Sequence, residues 1–315
     1  MKKLTTVLLL LFTLTTGIYS NEVKTVSVAA LKGPTGLSMV NLFHGEIQLG
    51  TKTEYTIVNT PQLATAGLLS GSYDIAALPT NLAAIIFNKK PDYVLAAVTG
   101  EGTLYVVSSR DDIKTWSDLK GQKVYNIARS ATPGFLFNHL LKQNNLDPET
   151  DLDVDFTFNH VELAPLLIAG KAETGILPEP LVTNVLLKNK NMKVVLDFQT
   201  EYAAGGNSSY PLSCVVVKKS LIESNPEVVT KFLKELESSI NFVKENPMSA
   251  GEKGETIGLG VTGPLVKTAI NRLNIGFKTA QDAKDGLVDY YNVLFNSDPK
   301  SVGGSLPSSD FYLDL

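Results

Sequence analysis

A short apolar run, a turn carrying Pro (with Gly or Thr in three cases), and then a helical pattern recur four times along this chain. The junctions are Leu31-Lys32-Gly33-Pro34-Thr35-Gly36, Leu78-Pro79-Thr80-Asn81, Arg129-Ser130-Ala131-Thr132-Pro133-Gly134 and Leu177-Pro178-Glu179-Pro180. Each reads as the carboxyl end of a strand feeding a helix. Pro is tolerated in a first helical turn because the N–H it lacks would find no helical partner there. The remaining amides of that turn, with neighbouring hydroxyls, make a polar rim suited to a small polar or anionic ligand. A chain that repeats this unit is constrained to an α/β fold with strand ends gathered round a cleft.

Strand and helix patterns alternate from Val23 onward. Apolar runs at 26–31, 55–58, 74–78 and 93–98 are separated by helical patterns at 34–46, 61–70 and 80–87, with Thr60 placed as a helix cap. Around Thr99-Gly100-Glu101-Gly102-Thr103 the pattern breaks, and a new strand begins at Leu104. A second αβ unit follows. It has expected strands at 123–128, 153–158, 175–177 and 193–196, and helices at 134–144, 161–170 and 181–188. The small-residue segment 202–209 and a strand at 212–218 return the chain to the first unit. Helices at 226–245, 263–273 and 280–295 complete it. Two crossings imply two αβ lobes joined by a two-strand hinge, divided as residues 21–103, 104–208 and 209–315. A cleft between domains is a favoured pocket.

Residues 1–20 stand apart. Lys2 and Lys3 precede the apolar run Val7-Leu8-Leu9-Leu10-Leu11-Phe12, and small residues follow, the layout of a secretory signal. The run is short for a membrane span. Cleavage is expected after Ser20, with Gly17 as the other option. No Cys lies near that site to carry a lipid, so the expectation is a soluble periplasmic protein. The net charge is −4, and losing Lys2 and Lys3 makes it more acidic. That argues against nucleic acid, which calls for a basic stripe. The single Cys, Cys214, sits in an apolar strand pattern and is expected to be an inert core thiol.

The junctions, with Leu69-Ser70-Gly71-Ser72-Tyr73-Asp74-Ile75, Ser117-Asp118-Leu119-Lys120-Gly121, Gly170-Lys171-Ala172-Glu173-Thr174-Gly175 and Asn225-Pro226-Glu227-Val228-Val229, carry a family resemblance. Across the whole chain after the signal segment, the sequence resembles periplasmic solute-binding proteins of ABC importers, in the branch of the nitrate, sulfonate, taurine and thiamine-precursor binders. The resemblance implies a type II periplasmic-binding fold and hinge closure on a small-molecule ligand. It also implies delivery to a membrane permease with a cytoplasmic ATPase.

Eleven residues are candidates for ligand contact. Gly33, Pro34, Thr35 and Gly36 would offer amides, or simply cap a helix. Thr80 and Asn81 follow a buried strand, as ligand contacts or as caps. Arg129 at a strand end would clamp an oxyanion in two-point fashion, or stand as a solvated charge. Ser130 and Thr132 form the adjacent rim. Glu179 would accept from a ligand amine, or complement a helix N-terminus. Tyr210 would stack on the ligand, or pack the joint between lobes. Trp116 reads as structural packing. A small anion is the favoured ligand class, ahead of a zwitterion or a stacked heterocycle.

Catalytic signals are weak. His44, His139 and His160 are scattered, and His160 with Glu162 forms an H-x-E string without the paired cysteines of a zinc deaminase. No H-E-x-x-H, G-x-S-x-G or Walker A motif occurs. Pyrimidine synthases on the same fold use a cysteine cluster that this chain lacks. The expectation is therefore a monomeric binding protein with no catalytic residue, metal or cofactor. A cofactor-independent enzyme on this fold and a ligand sensor acting through a receptor are the alternatives.

Overall fold

The computed structural model describes residues 25–45, 48–49, 51–206 and 209–314. The signal segment 1–20, Glu46 at the end of the expected first helix, and Asn207 and Ser208 of the return segment lie outside the described residues.

A first sheet holds β1 (Val26–Leu31), β2 (Thr53–Val58), β3 (Ile75–Pro79), β4 (Tyr93–Glu101), β10 (Pro211–Lys218) and β11 (Ile275–Thr279), in the order β11-β4-β10-β3-β1-β2. A second sheet holds β5 (Leu104–Ser108), β6 (Lys123–Tyr125), β7 (Asp153–Asp155), β8 (Thr174–Pro178) and β9 (Lys193–Asp197), in the order β7-β6-β8-β5-β9. β1, β2 and β3 run parallel, while β10 lies antiparallel between β3 and β4. The architecture is mixed α/β with two sheets.

The helices are α1 (Pro34–Leu37), α2 (Val40–Phe43), α3 (Pro61–Ser70), α4 (Thr80–Lys89), α5 (Thr132–Gln143), α6 (His160–Ile168) and α7 (Leu181–Lys188). Then come α8 (Phe198–Ala204), α9 (Lys219–Ser224), α10 (Pro226–Glu245), α11 (Pro247–Thr256), α12 (Gly263–Leu273) and α13 (Lys284–Ser297). The expected helix at 34–46 is split into α1 and α2, because Ser38 turns its hydroxyl back onto the Thr35 carbonyl at 2.7 Å. The strand expected over 123–128 stops at Tyr125. Beyond it the Asn126 side chain accepts from the Ile127 N–H at 2.8 Å, a local bond that replaces the ladder.

Register decides which ends of the sheets meet. Leu104, the first residue of β5, lies opposite Pro178 at the carboxyl end of β8, and Tyr105 lies opposite Asp197 at the carboxyl end of β9. In the first sheet Pro211, the first residue of β10, lies opposite Glu101 at the end of β4, and Ser213 opposite Pro79 at the end of β3. Both crossings therefore join carboxyl ends to carboxyl ends.

Among the described residues the buried apolar side chains form three clusters. One packs under α1, α2, α10, α11 and α12, where Val229, Phe232, Leu236, Ile240 and Val243 of α10 recur at helical spacing. One lies between the second sheet and α6 and α7. The third runs through both sheets, joining Leu78 and Val98 to Val106, Val124 and Ile176. Each fully buried side chain of this size contributes about 1.5–3 kcal/mol. Cys214 belongs to this third cluster, and burial pushes its thiol pKa far up. Trp116 packs there against Phe198 and Phe137 at ring separations of 5.3 and 6.1 Å.

Candidate functional site

The first crossing passes through Gly102 and Thr103, and the second arrives at Tyr210. Gln199 on α8 ties them together: its Oε1 accepts from the N–H of Gly102 at 3.3 Å and of Tyr210 at 3.4 Å. The Tyr210 ring lies directly against Gly102, where any Cβ would overlap it. The Tyr210 hydroxyl accepts from the Leu104 N–H at 3.3 Å. The residue is wholly buried. Tyr210 therefore packs the joint between the sheets and offers no surface to a solute in this conformation.

Around that joint, three of the residues singled out from the sequence converge on α13. Thr132, at the start of α5, shares a hydrogen bond with the Tyr290 hydroxyl at 3.1 Å. The Tyr291 hydroxyl donates to the Thr80 carbonyl at 3.0 Å. The Thr80 hydroxyl donates in turn to the Pro211 carbonyl at 2.6 Å. Tyr210 meets Tyr290 at a ring separation of 6.0 Å, and Tyr290 meets Tyr291 at the same separation. Burial pushes the phenols of Tyr210, Tyr290 and Tyr291 well above their usual range. Nothing in the local sequence marks Tyr290 and Tyr291 beyond a helical pattern, so their part in the joint was not legible from residues alone.

A second group forms around Glu179, whose peptide bond to Pro180 is cis. Its side chain is fully buried. The carboxylate accepts from the Thr183 N–H at 3.1 Å and the Thr183 hydroxyl at 2.9 Å. It also accepts from Arg272 Nε at 2.5 Å, and Arg272 Nη2 donates to the Thr183 hydroxyl at 2.7 Å. Glu179 follows β8 of the second sheet, whereas Arg272 closes α12, which packs on the first. The ion pair therefore bridges the two. Arg272 stands in the last turn of α12, the placement the helix dipole favours, and no local sequence signal ties it to Glu179.

The other candidates are placed differently. The Gly33 N–H donates to the Leu259 carbonyl at 3.0 Å, so this amide is engaged. Thr35 and Gly36 lie in the first turn of α1, where the helix itself supplies no acceptor. Asn81 reaches the Ser301 carbonyl at 3.5 Å. The Arg129 guanidinium stacks on the Phe156 ring at 4.3 Å. Arg129 and Ser130 together line a groove of about 660 Å³ between α5 and α13. Glu162 of the H-x-E string forms a capping box with Asn159, accepting from its N–H at 3.0 Å. Burial, with Lys142 nearby, holds the His139 imidazole pKa below its usual value. Among the described residues no group of three His, Cys, Asp or Glu side chains is arranged to hold a metal ion.

Facing carboxyl ends, two crossings and polar helix starts describe a fold made to hold a solute, and its relatives agree. Residues 46–247 match the family model described as ABC transporter, phosphonate, periplasmic substrate-binding protein. The chain belongs to this family. It is similar to an ABC transporter structure from Parabacteroides distasonis, with 25% identity, 92% of this chain and 99% of that one covered, and a TM-score of 0.77. The periplasmic aliphatic sulphonate binding protein SsuA from Escherichia coli matches at 16% identity over 89% and 96% of the two chains, with a TM-score of 0.70. The curated YtlA protein of Bacillus subtilis (strain 168) is 23% identical over 185 residues, 57% of this chain. The match spans about half of YtlA's length, 53%.

Proposed function

We propose that this protein is the extracytoplasmic substrate-binding component of an ABC importer. It captures a small polar, anionic solute by closure of two lobes and delivers it to a membrane permease served by a cytoplasmic ATPase. The observation that carries the reading is the pairing of strand ends: both crossings lie where the carboxyl ends of the two sheets meet, so one solute can touch both. Such a solute shifts an open–closed equilibrium by its differential affinity for the closed form. The lobes are residues 21–103 with 209–315, and residues 104–208.

The solute's contacts are drawn from Thr35, Gly36, Asn81, Arg129, Ser130 and Thr132. Gly33, Pro34 and Thr80 shape the rims, and Glu179 and Tyr210 hold the lobes in register. The anionic preference rests on Arg129 and on the free amides of the helix starts. The protein acts as an exported monomer, its first 20 residues a cleavable signal, and it transforms nothing. Two facts support a binder over an enzyme: the sole thiol is buried, and Glu162 is committed to a helix cap. No helix among the described residues is long and apolar enough to cross a membrane.

Mass spectrometry of freshly purified protein, native and then denatured, tests the reading. A retained anion released unchanged is the expected result. Conversion of an added solute into product would overturn it.

A further inference from the structure

Helix α12 belongs to the first lobe by its core, since Val266, Ala269 and Leu273 pack in the cluster it shares with α10 and α11. Its carboxyl end reaches the second lobe. The Arg272 carbonyl is among the last four of the helix, which find no partner within it. The hydroxyl of Tyr105, on β5 of the second sheet, donates to that carbonyl at 3.0 Å. Asn274 ends the helix in the left-handed region, and its Nδ2 donates to the Gly102 carbonyl at 2.5 Å. The Arg272 guanidinium goes furthest, to Glu179 and to Thr183 on α7. One lobe thus caps a helix of the other.

These contacts form a seam with a direction. It starts at Gly102 in the first crossing, passes Tyr105 just beyond it, and ends on α7. When the lobes turn about the crossings, displacement grows with distance from them. The Asn274–Gly102 bond moves least and the Arg272–Thr183 bond most. The outer end is also the stronger one, because its donor is charged. Tyr105, Glu179 and Thr183 are buried, whereas Arg272 already touches solvent. Parting the seam exchanges these bonds for water, so it can release without stranding a buried charge.

We propose that this seam is a latch. The protein's own side chains hold the lobes together, and the solute enters and leaves through an open form that the seam keeps in the minority. The inference rests on the lobe-closure reading above and deepens it by naming what sets the equilibrium between the two forms.

Pulsed electron double resonance tests it, on protein refolded from urea to strip any retained solute and measured with none added. Spin labels on Lys188→Cys of α7 and Lys267→Cys of α12, both exposed, read the separation of the two helices. The native thiol of Cys214 is buried and stays unlabelled. The expected result is a single short distance in the labelled parent. The Tyr105→Phe/Glu179→Gln/Arg272→Ala variant removes the outer bonds together with both charges. In it a longer distance becomes the main population, with the open-to-closed ratio raised at least about tenfold, as the loss of a charged and a neutral hydrogen bond requires. A thermal melt checks that this variant folds. If it does not, the milder Tyr105→Phe/Thr183→Val variant takes its place, with the same direction expected. A long distance that already dominates in the parent overturns the latch, and so does a folded variant as short as the parent. Neither result decides solute capture, which the mass spectrometry tests separately.

Discussion

Replacing Arg272 with Ala removes the cation that, among the described residues, pairs with the fully buried carboxylate of Glu179. Glu179 would keep its two hydrogen bonds from Thr183 and lose its counter-charge, while Thr183 would lose the donor on its hydroxyl. Breaking a buried pair from one side costs about 3–5 kcal/mol. Arg272 retains 29% of its side-chain exposure, so water already offsets part of the interaction, and the expected loss is about 2–3 kcal/mol. Urea unfolding read by tryptophan fluorescence measures it, since Trp116 is the single Trp and is buried in the core shared by both sheets. The partner control is Glu179→Gln, which removes the charge and keeps the shape. In that background Arg272→Ala should cost under about 1 kcal/mol, because no buried charge is left stranded. A similar loss in both backgrounds would show that Arg272 acts through packing, and the ion-pair argument would fall. Because the pair joins α12 to the end of β8, Arg272→Ala should also speed solute release.

Two other outcomes follow from the joint between the sheets. Gly102→Ala should destabilise the fold by more than about 2 kcal/mol, as a methyl has no room beside the Tyr210 ring; a thermal midpoint equal to that of the parent would refute this. Alkaline titration followed by phenolate absorbance should show Tyr93 and Tyr312 ionising late. Burial pushes both to about 12, with Asp74 and Asp92 adding to the effect at Tyr93. In the unfolded chain these phenols titrate near 10. The sign is therefore fixed: their stabilising effect is complete below pH 10 and is lost as pH rises from 10 toward 12. Reversible ionisation of Tyr93 and Tyr312 near pH 10, with the fold intact, would contradict the burial.

Where a local signal sets an element's end, the sequence located it. Leu181–Lys188, Pro226–Glu245 and Gly263–Leu273 occur as expected, two of them opened by Pro. Thr60 caps α3, accepting from the Leu63 N–H at 3.3 Å. Helix α11 went unread because Gly251 and Gly254 argue against a helix interior. The structure explains Gly251: a Cβ there would strike the Thr262 carbonyl and the Gly263 backbone, so the glycine is the condition for α11 and α12 to pack closely. Strand β11 was missed for another reason. It is short, enters from Asn274 in the left-handed region at φ 46°, and slips register between Ile275 and Lys278, so its alternation is broken. At the candidate site, strand ends were legible and pairings were not. Glu179 and Arg272 lie 93 residues apart, and no periodicity connects them.

The position of the joint bears on how closure works. Tyr202, Tyr210, Tyr290, Tyr291 and Phe311 form a run of ring contacts at 5.5–6.3 Å from one sheet's side to the other. Pulling such a run apart would expose large apolar area at about 25 cal/mol per Å². A lobe motion that costs little must leave these rings together and turn about them. Gly102 and the bonds from Gln199 lie beside these rings, so in the proposed closure they would be displaced least. The Glu179–Arg272 pair joins elements carried by different sheets outside this run of rings, so in the proposed closure its contacts change more than those of the rings. A solute that adds contacts there works against little else, which is the condition for a modest binding energy to close the molecule.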